Sequence, residues 1–325
     1  MKTSSLLTLV RYKNLIMMAV MLFMIKFCVV DPIIRVFNLT PTFTYLDFAV
    51  LTVGQLLVAA GGYIVNDYFD MKADKVNRPD SRIVGQEVSR GTATTYHLWM
   101  SVAGCILGLL VSMRIGFWQL GLLFPFEVGM LWFYSSAYKG MFLVGNLVVA
   151  FLVATLPFLP SLYEYRGLIA VDDPSIAAGV FDPAVLIYWS VGYAAFAFLM
   201  TLIREIIKDM EDIEGDIEQG CSTMPIVIGQ TATKIVVAVL IAVTMVGLYF
   251  AYSNFLGHDL KSGIYLGVAV ALPMVFLLVK VLMIKVKSDC HFCSTVAKVI
   301  MALGMLYLLI VWYNFTFFKT DAVLE

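Results

Sequence analysis

Apolar residues gather into nine long runs, at about 13–30, 45–66, 94–113, 116–137, 142–162, 185–206, 232–253, 263–284 and 295–317. Each approaches the roughly 20 residues that a helix needs to cross a hydrocarbon core. Irregular backbone facing lipid would lose its hydrogen bonds, so the pattern predicts an all-α fold, a polytopic membrane bundle of nine transmembrane helices. No linker or low-complexity tract interrupts it, and residues 1–325 read as one membrane domain.

Composition strengthens this picture. The chain is 61% hydrophobic and only 14% charged, with a mean hydropathy of +0.89, which excludes an ordinary soluble domain. Lys2, Arg11 and Lys13 precede the first run as in a signal peptide, but the run is too long and lacks a small-residue cleavage site, so it reads as a retained helix. With the N-terminus inside, most of the 22 Lys and Arg residues fall on the cytoplasmic side, as the positive-inside rule requires. That orientation predicts an integral protein of the cell's inner (plasma) membrane with its polar loops facing the cytoplasm. The net charge of −1 points to no partner, nucleic acid included. Five cysteines imply no disulfide framework, and Cys290 and Cys293 around His291, placed in the loop before the last run, are one ligand short of a structural zinc site.

Polar positions break the apolar pattern in two informative places. Asn66-Asp67-Tyr68-Phe69-Asp70-Met71-Lys72-Ala73-Asp74 follows the second run, and an acidic stretch from Glu205 to Asp216 follows the sixth. Carboxylates at a membrane boundary are costly and mark function unless something else explains them. If the helices continue through the clusters, Asn66, Asp70 and Asp74 form one stripe, and Glu205, Asp209, Asp212 and Asp216 lie within about 60° of one another. Like charges so spaced repel unless cations lie among them. Ligands that are all oxygen favour a hard cation, and Mg²⁺ is held by carboxylates together with substrate phosphates. Basic residues able to meet the remaining phosphate oxygens stand nearby: Lys72, Arg78 and Arg82, then Arg204 and Lys208, and Lys139 with Tyr134 and Tyr138 after the fourth run. Taken singly, such basic and aromatic residues are common at membrane boundaries.

These residues resemble the UbiA-type intramembrane prenyltransferase superfamily. The resemblance covers nearly the whole chain: nine runs, Asn66-x-x-x-Asp70-x-x-x-Asp74 after the second, Asp212-x-x-x-Asp216 after the sixth, and Tyr134 with Lys139 after the fourth. Asn77-Arg78-Pro79 and the run Arg204 to Asp216 are similar to the archaeal-type branch that adds a second C20 chain to a glycerol phosphate, geranylgeranylglycerol-phosphate geranylgeranyltransferase.

The resemblance implies Mg²⁺-dependent transfer of a prenyl chain from its diphosphate to a membrane-associated acceptor. On this reading Asn66, Asp70, Asp74, Asp212 and Asp216 are the metal ligands, with Asp67 and Asp209 as further candidates. Arg78, Lys139 and Lys208 neutralise the leaving diphosphate, and Tyr134 and Tyr138 offer π-faces to the allylic cation. An aromatic acceptor, hydroxybenzoate or dihydroxynaphthoate, is the alternative within the superfamily. A cation transporter is disfavoured, because its ionisable residues belong near the bilayer midplane rather than at one end.

Overall fold

The computed structural model describes residues 3–77, 82–171, 174–256 and 259–317. Among them, eight helices are long and apolar enough to span a membrane: α1 (Tyr12–Val36), α2 (Tyr45–Phe69), α3 (Arg90–Arg114), α4 (Trp118–Tyr138), α6 (Ala184–Glu211), α7 (Met224–Phe255), α8 (Leu260–Leu282) and α9 (Lys287–Phe317). Between α4 and α6 lies α5, a pair, Val144–Thr155 and Phe158–Ala170, bent by 48° where Leu156-Pro157 interrupts the helical bonding. Counting that pair as one broken span gives the nine that the hydropathy predicts.

Local chemistry sets several starts. Thr44 and Asp47 form a reciprocal capping box at the start of α2, and the Ser89 hydroxyl caps α3. α2 and α3 pack along a seam of small residues, where a Cβ on Gly104 would strike the backbone of Gly54 and the side chain of Val58. Helices in lipid associate by this kind of close backbone approach, since burial against lipid offers them no hydrophobic gain.

Buried charge holds the half of the bundle around the C-terminal part of α1. Lys26, 1% exposed on α1, lies 3.0 Å from both Asp31 and Glu164, and Glu164 also accepts the Thr42 N–H at 2.8 Å. Pairing is what lets these ions stay out of water. A second polar knot joins three helices: the Gln55 amide donates to Glu127 at 2.7 Å, and the Thr155 hydroxyl does so at 3.3 Å beside the break in α5.

Three sequence expectations change. The fifth span does not end at 162 but continues, bent, to Ala170. The last helix begins at Lys287, so Cys290, His291 and Cys293 belong to its first turns rather than a loop. There both cysteines are buried, and exposed His291 meets Glu211 at 3.1 Å, a link between helices. Finally, neither acidic cluster continues its helix unbroken, which matters most for the site.

Candidate active site

α2 stops at Phe69. Asp70 takes a non-helical conformation (φ −77°, ψ 1°), and a short helix, Ala73–Asn77, follows. α6 behaves alike: it stops at Glu211, Asp212 occupies the corner (φ −99°, ψ 9°), and a second short helix runs from Ile213 to Gln219. Across each corner the i to i−4 bonds persist, Asp70 to Asn66 and Asp74 to Asp70 at 2.9 Å, Asp212 to Lys208 and Asp216 to Asp212 at 2.9 and 3.0 Å. The spacing that suggested a straight ladder therefore survives while the direction turns. Each motif becomes a hook at the same end of the bundle.

The hooks are clipped together by Asn77. Its amide donates to the Asp212 carbonyl at 3.2 Å, and its carbonyl accepts the Gly215 N–H at 3.1 Å. Glycine at 215 makes room for this clip, because a Cβ there would fall on the Asn77 carboxamide and displace it. Gln219 adds a bond to the Phe69 carbonyl at 3.3 Å. A third element joins from the end of α4, where the Ser222 N–H donates to the Gly140 carbonyl at 2.7 Å.

Individual side chains are committed in an ordered way. Asp70 accepts from Asn66 at 2.5 Å and is ion-paired with Lys139. Its other oxygen, Oδ1, is buried without a hydrogen-bond partner. Such an orphan is uncommon in a native fold and marks a place for a ligand. Asp67 is held by Arg11 at 2.7 Å, and Asp209 accepts from Asn146 on α5 at 2.8 Å. Asp216 is buried and takes a bond from Thr223 at 3.4 Å. Among the described residues no three His, Cys, Asp or Glu side chains converge on one point, so Asp70 and Asp216, both within electrostatic reach of Lys139, share a space with it without forming a closed cage. An oxygen-only donor set with one orphaned carboxylate oxygen fits a hard, hydrated cation that keeps waters and substrate oxygens as its remaining ligands.

Basic groups ring this space. Lys139 and Lys208 lie within electrostatic reach of each other and of Glu205, and Arg11, Arg204 and Lys298 crowd the same carboxylate region. Burial pulls the Lys139 ammonium down, but Asp70, Tyr134 and Asp216 more than offset it, leaving its pKa above the ordinary lysine value. Burial raises the Asp216 carboxyl to about 6; Lys139 opposes the shift and Asp212 adds to it. Tyr134 sits in a π-helical turn closing α4, within electrostatic reach of Lys139, Glu205, Asp70 and Asp209. Such turns recur at functional sites. Tyr138, by contrast, stacks on exposed Phe133 at 6.0 Å. Arg78 lies outside the described residues.

Arg11, Asn77, Asn146, Gly215 and Lys298 escaped the sequence reading as members of one site. Arg11 was legible only as a flanking positive charge, yet its left-handed backbone (φ 52°) turns the chain between a short helix, Thr3–Leu9, and α1, and its guanidinium lies 5.1 Å over the Tyr63 ring.

With this geometry established, comparison gives the family. The model of the UbiA prenyltransferase family matches residues 36–291. The chain belongs to the UbiA prenyltransferase family. It is therefore a prenyltransferase and an integral membrane protein. Among curated UbiA-related proteins, the digeranylgeranylglyceryl phosphate synthase of Thermococcus kodakarensis is 36% identical over 218 residues, 67% of each chain. A solved digeranylgeranylglyceryl phosphate synthase shares the fold with a TM-score of 0.61 at 19% identity, covering 96% of this chain and 98% of that one. A UbiA homologue from Archaeoglobus fulgidus, solved bound to GPP and Mg²⁺, aligns with a TM-score of 0.54 at 13% identity, covering 94% and 99%.

Proposed function

We propose that this UbiA enzyme transfers a geranylgeranyl chain from its diphosphate to the hydroxyl of geranylgeranylglycerol phosphate, on the cytoplasmic face of the plasma membrane. The observation that carries the reading is the joining of the two acidic hooks through Asn77, beside a surplus of basic side chains. The curated relative named above supports the acceptor, and the GPP and Mg²⁺ of the A. fulgidus homologue support the donor and metal. The excess of Lys and Arg in the loops on this side supports the orientation.

Asn66, Asp70, Asp74, Asp212 and Asp216 would hold Mg²⁺, while Asp67 and Asp209 stay with Arg11 and Asn146. The metal supplies charge neutralisation to the leaving diphosphate oxygens. Lys139 and Lys208 approach the same oxygens, and Arg78 is assigned with them. As the allylic C–O bond breaks, its electron pair leaves with the diphosphate, and Tyr134 turns a π-face to the carbocation. The acceptor oxygen forms the ether bond and its proton passes to Asp209. Arg11, Arg204 and Lys298 receive the acceptor phosphate, a dianion that calls for more positive charge than an aromatic carboxylate does.

The test offers purified protein labelled geranylgeranyl diphosphate and Mg²⁺ with geranylgeranylglycerol phosphate, 4-hydroxybenzoate and 1,4-dihydroxy-2-naphthoate in competition. The expected product is the doubly prenylated glycerol phosphate; a prenylated ring instead would overturn the acceptor. Losing one charged phosphate contact removes roughly 1.5–3 kcal/mol. Arg11→Gln is accordingly expected to raise KM for the glycerol phosphate by about tenfold or more, with KM for the donor little changed.

The pH dependence follows from Asp216. Its carboxyl is raised to about 6, so below that pH it is protonated and a poor metal ligand. At limiting Mg²⁺ the rate is expected to fall as pH drops through about 6, and saturating Mg²⁺ should move the fall to lower pH. Rate profiles at two Mg²⁺ concentrations that superimpose would remove Asp216 from the metal site.

A further inference from the structure

His97 is a buried titratable side chain that the transfer reaction leaves unused. It sits on α3, 7% exposed, and its Nδ1 lies 2.9 Å from the Gly61 carbonyl of α2. A carbonyl only accepts, so Nδ1 carries the proton and the neutral ring keeps a lone pair on Nε2. A Cβ at Gly61 would come 2.9 Å from the Ser101 hydroxyl, and its absence lets α3 approach closely enough to fix the ring in this direction. Nε2 has no hydrogen-bond partner among the described residues and is not sealed inside the protein. His97 lines a cavity of about 60 Å³ with Val65 and Tyr68 of α2, Ala93 and Thr94 of α3, and Trp132 of α4. At roughly 30 Å³ per water, that is room for a hydroxyl and the carbon that bears it. Among the described residues no charged side chain lines the cavity, so the lone pair calls for a neutral donor, an alcohol O–H.

The cavity is one end of a longer groove between α3 and α4. Pro125, Gly129 and Trp132 fall within about 60° of one another on α4. Nothing lies within 4 Å of where a Gly129 Cβ would stand, so the face between the two larger residues is open. Further from the hooks a second, apolar cavity of about 160 Å³ is lined by Cys105 and Leu109 of α3 with Gly121 and Pro125 of α4. At 1.5 Å per residue the seam from His97 to Leu109 is about 18 Å long. In the opposite direction Arg90 precedes His97 by seven residues, about 10 Å along the axis and within about 20° of the same face. Its exposed guanidinium rests against the Met71 sulfur at 3.3 Å.

These features ask for one kind of molecule: an alcohol for Nε2, an anion for Arg90 and a single long chain for the apolar seam. A hydroxyl and a phosphate on neighbouring carbons, each at hydrogen-bond distance from its partner, bridge the spacing between His97 and Arg90. Resting on the reading of the substrate above, we propose that this groove recruits the lipid to be prenylated: a single-chain glycerol phosphate, its phosphate on Arg90, its free hydroxyl on His97 Nε2 and its chain along α3 and α4. The doubly prenylated product has an ether oxygen where that hydroxyl was. Two lone pairs then face each other at His97, so the groove holds substrate and releases product. Trp132 joins the groove to the catalytic end, with its ring 5.5 Å from His97 and edge-on to Phe69 at 5.5 Å, one residue before Asp70. A lipid held there is concentrated beside the hooks.

The test counts lipids on the full-length protein by native mass spectrometry, without donor or Mg²⁺, and measures KM separately. With geranylgeranylglycerol phosphate, wild type is expected to carry two molecules, one at the catalytic site and one in the groove. Gly129→Trp, which fills open space, should carry one, and so should wild type given the 2-O-methyl ether, which cannot donate to His97. In turnover, Gly129→Trp and His97→Phe are each expected to raise KM for the glycerol phosphate about fivefold, near the worth of one hydrogen bond, with kcat and donor KM unchanged. The two substitutions lie on different helices, so misfolding of one leaves the other to decide. Equal lipid counts in wild type and variants, or two molecules of the methyl ether on wild type, would overturn the groove while leaving the substrate reading intact. A lost second lipid with unchanged KM would also overturn it, marking the seat of a resident membrane lipid instead. A wild type that prenylates aromatic rings alone would remove the substrate reading and the groove's role with it, whatever the lipid count.

Discussion

Asp70→Asn is expected to lower prenyl transfer by about 10³-fold while leaving the protein folded and inserted, a size set by losing a charged group aimed at transition-state charge. The substitution keeps the shape of a side chain that is 4% exposed, and its oxygen can still face Lys139 and Asn66. What disappears is the negative charge, at the position with the orphaned oxygen. Asp212→Asn, at the equivalent corner of the second hook, should behave alike. The check is product formation from labelled geranylgeranyl diphosphate at saturating Mg²⁺, alongside thermal stability in detergent. Near wild-type rates in both variants would remove the metal from these hooks.

Gly215→Ala is expected to cost about 10²-fold, the penalty typical of misplacing reacting groups by roughly 1 Å. Its new Cβ lands on the Asn77 carboxamide and forces apart two hooks that share no covalent link nearby. Asn77→Ala alone gives up two hydrogen bonds, each worth about 1 kcal/mol net. The double variant relieves the collision, so it should be no slower than Asn77→Ala alone, a non-additivity expected of residues in direct contact. Additive losses in the double variant would show that the two positions act separately.

Much of this architecture was legible from the chain. Hydropathy located the nine spans because a lipid environment leaves the backbone few choices, and Leu156-Pro157 offered a visible, though unused, signal for the break in α5. The two hooks were legible as composition but not as shape. Asp70 and Asp212 turn the chain while keeping their i−4 bonds, so a straight ladder and a hook share one sequence spacing. Asn77 and Gly215 could not be paired in advance, since their contact depends on how the ends of α2 and α6 approach in three dimensions. Arg11 was hidden for another reason: a basic residue before a first span is the ordinary topogenic signal, and its contacts with Asp67 and the Tyr63 ring separate it from that background. The cysteines near His291 misled because a hydropathy minimum resembles a loop, whereas an amphipathic first turn of α9 produces the same dip.

The Lys139–Asp70 pair carries a consequence for the order of events. On the proposed ligand set, an ammonium tethered to the end of α4 balances the carboxylate that the metal would use. On that reading Mg²⁺ arriving alone would have to displace it, and a diphosphate arriving alone would meet an ammonium already engaged. Arriving together, the metal would take the carboxylate and the diphosphate the lysine, and neither charge would be left unbalanced. The pair would then act as a coincidence detector: calorimetric titration should find each of the two ligands weak by itself and much tighter in the presence of the other.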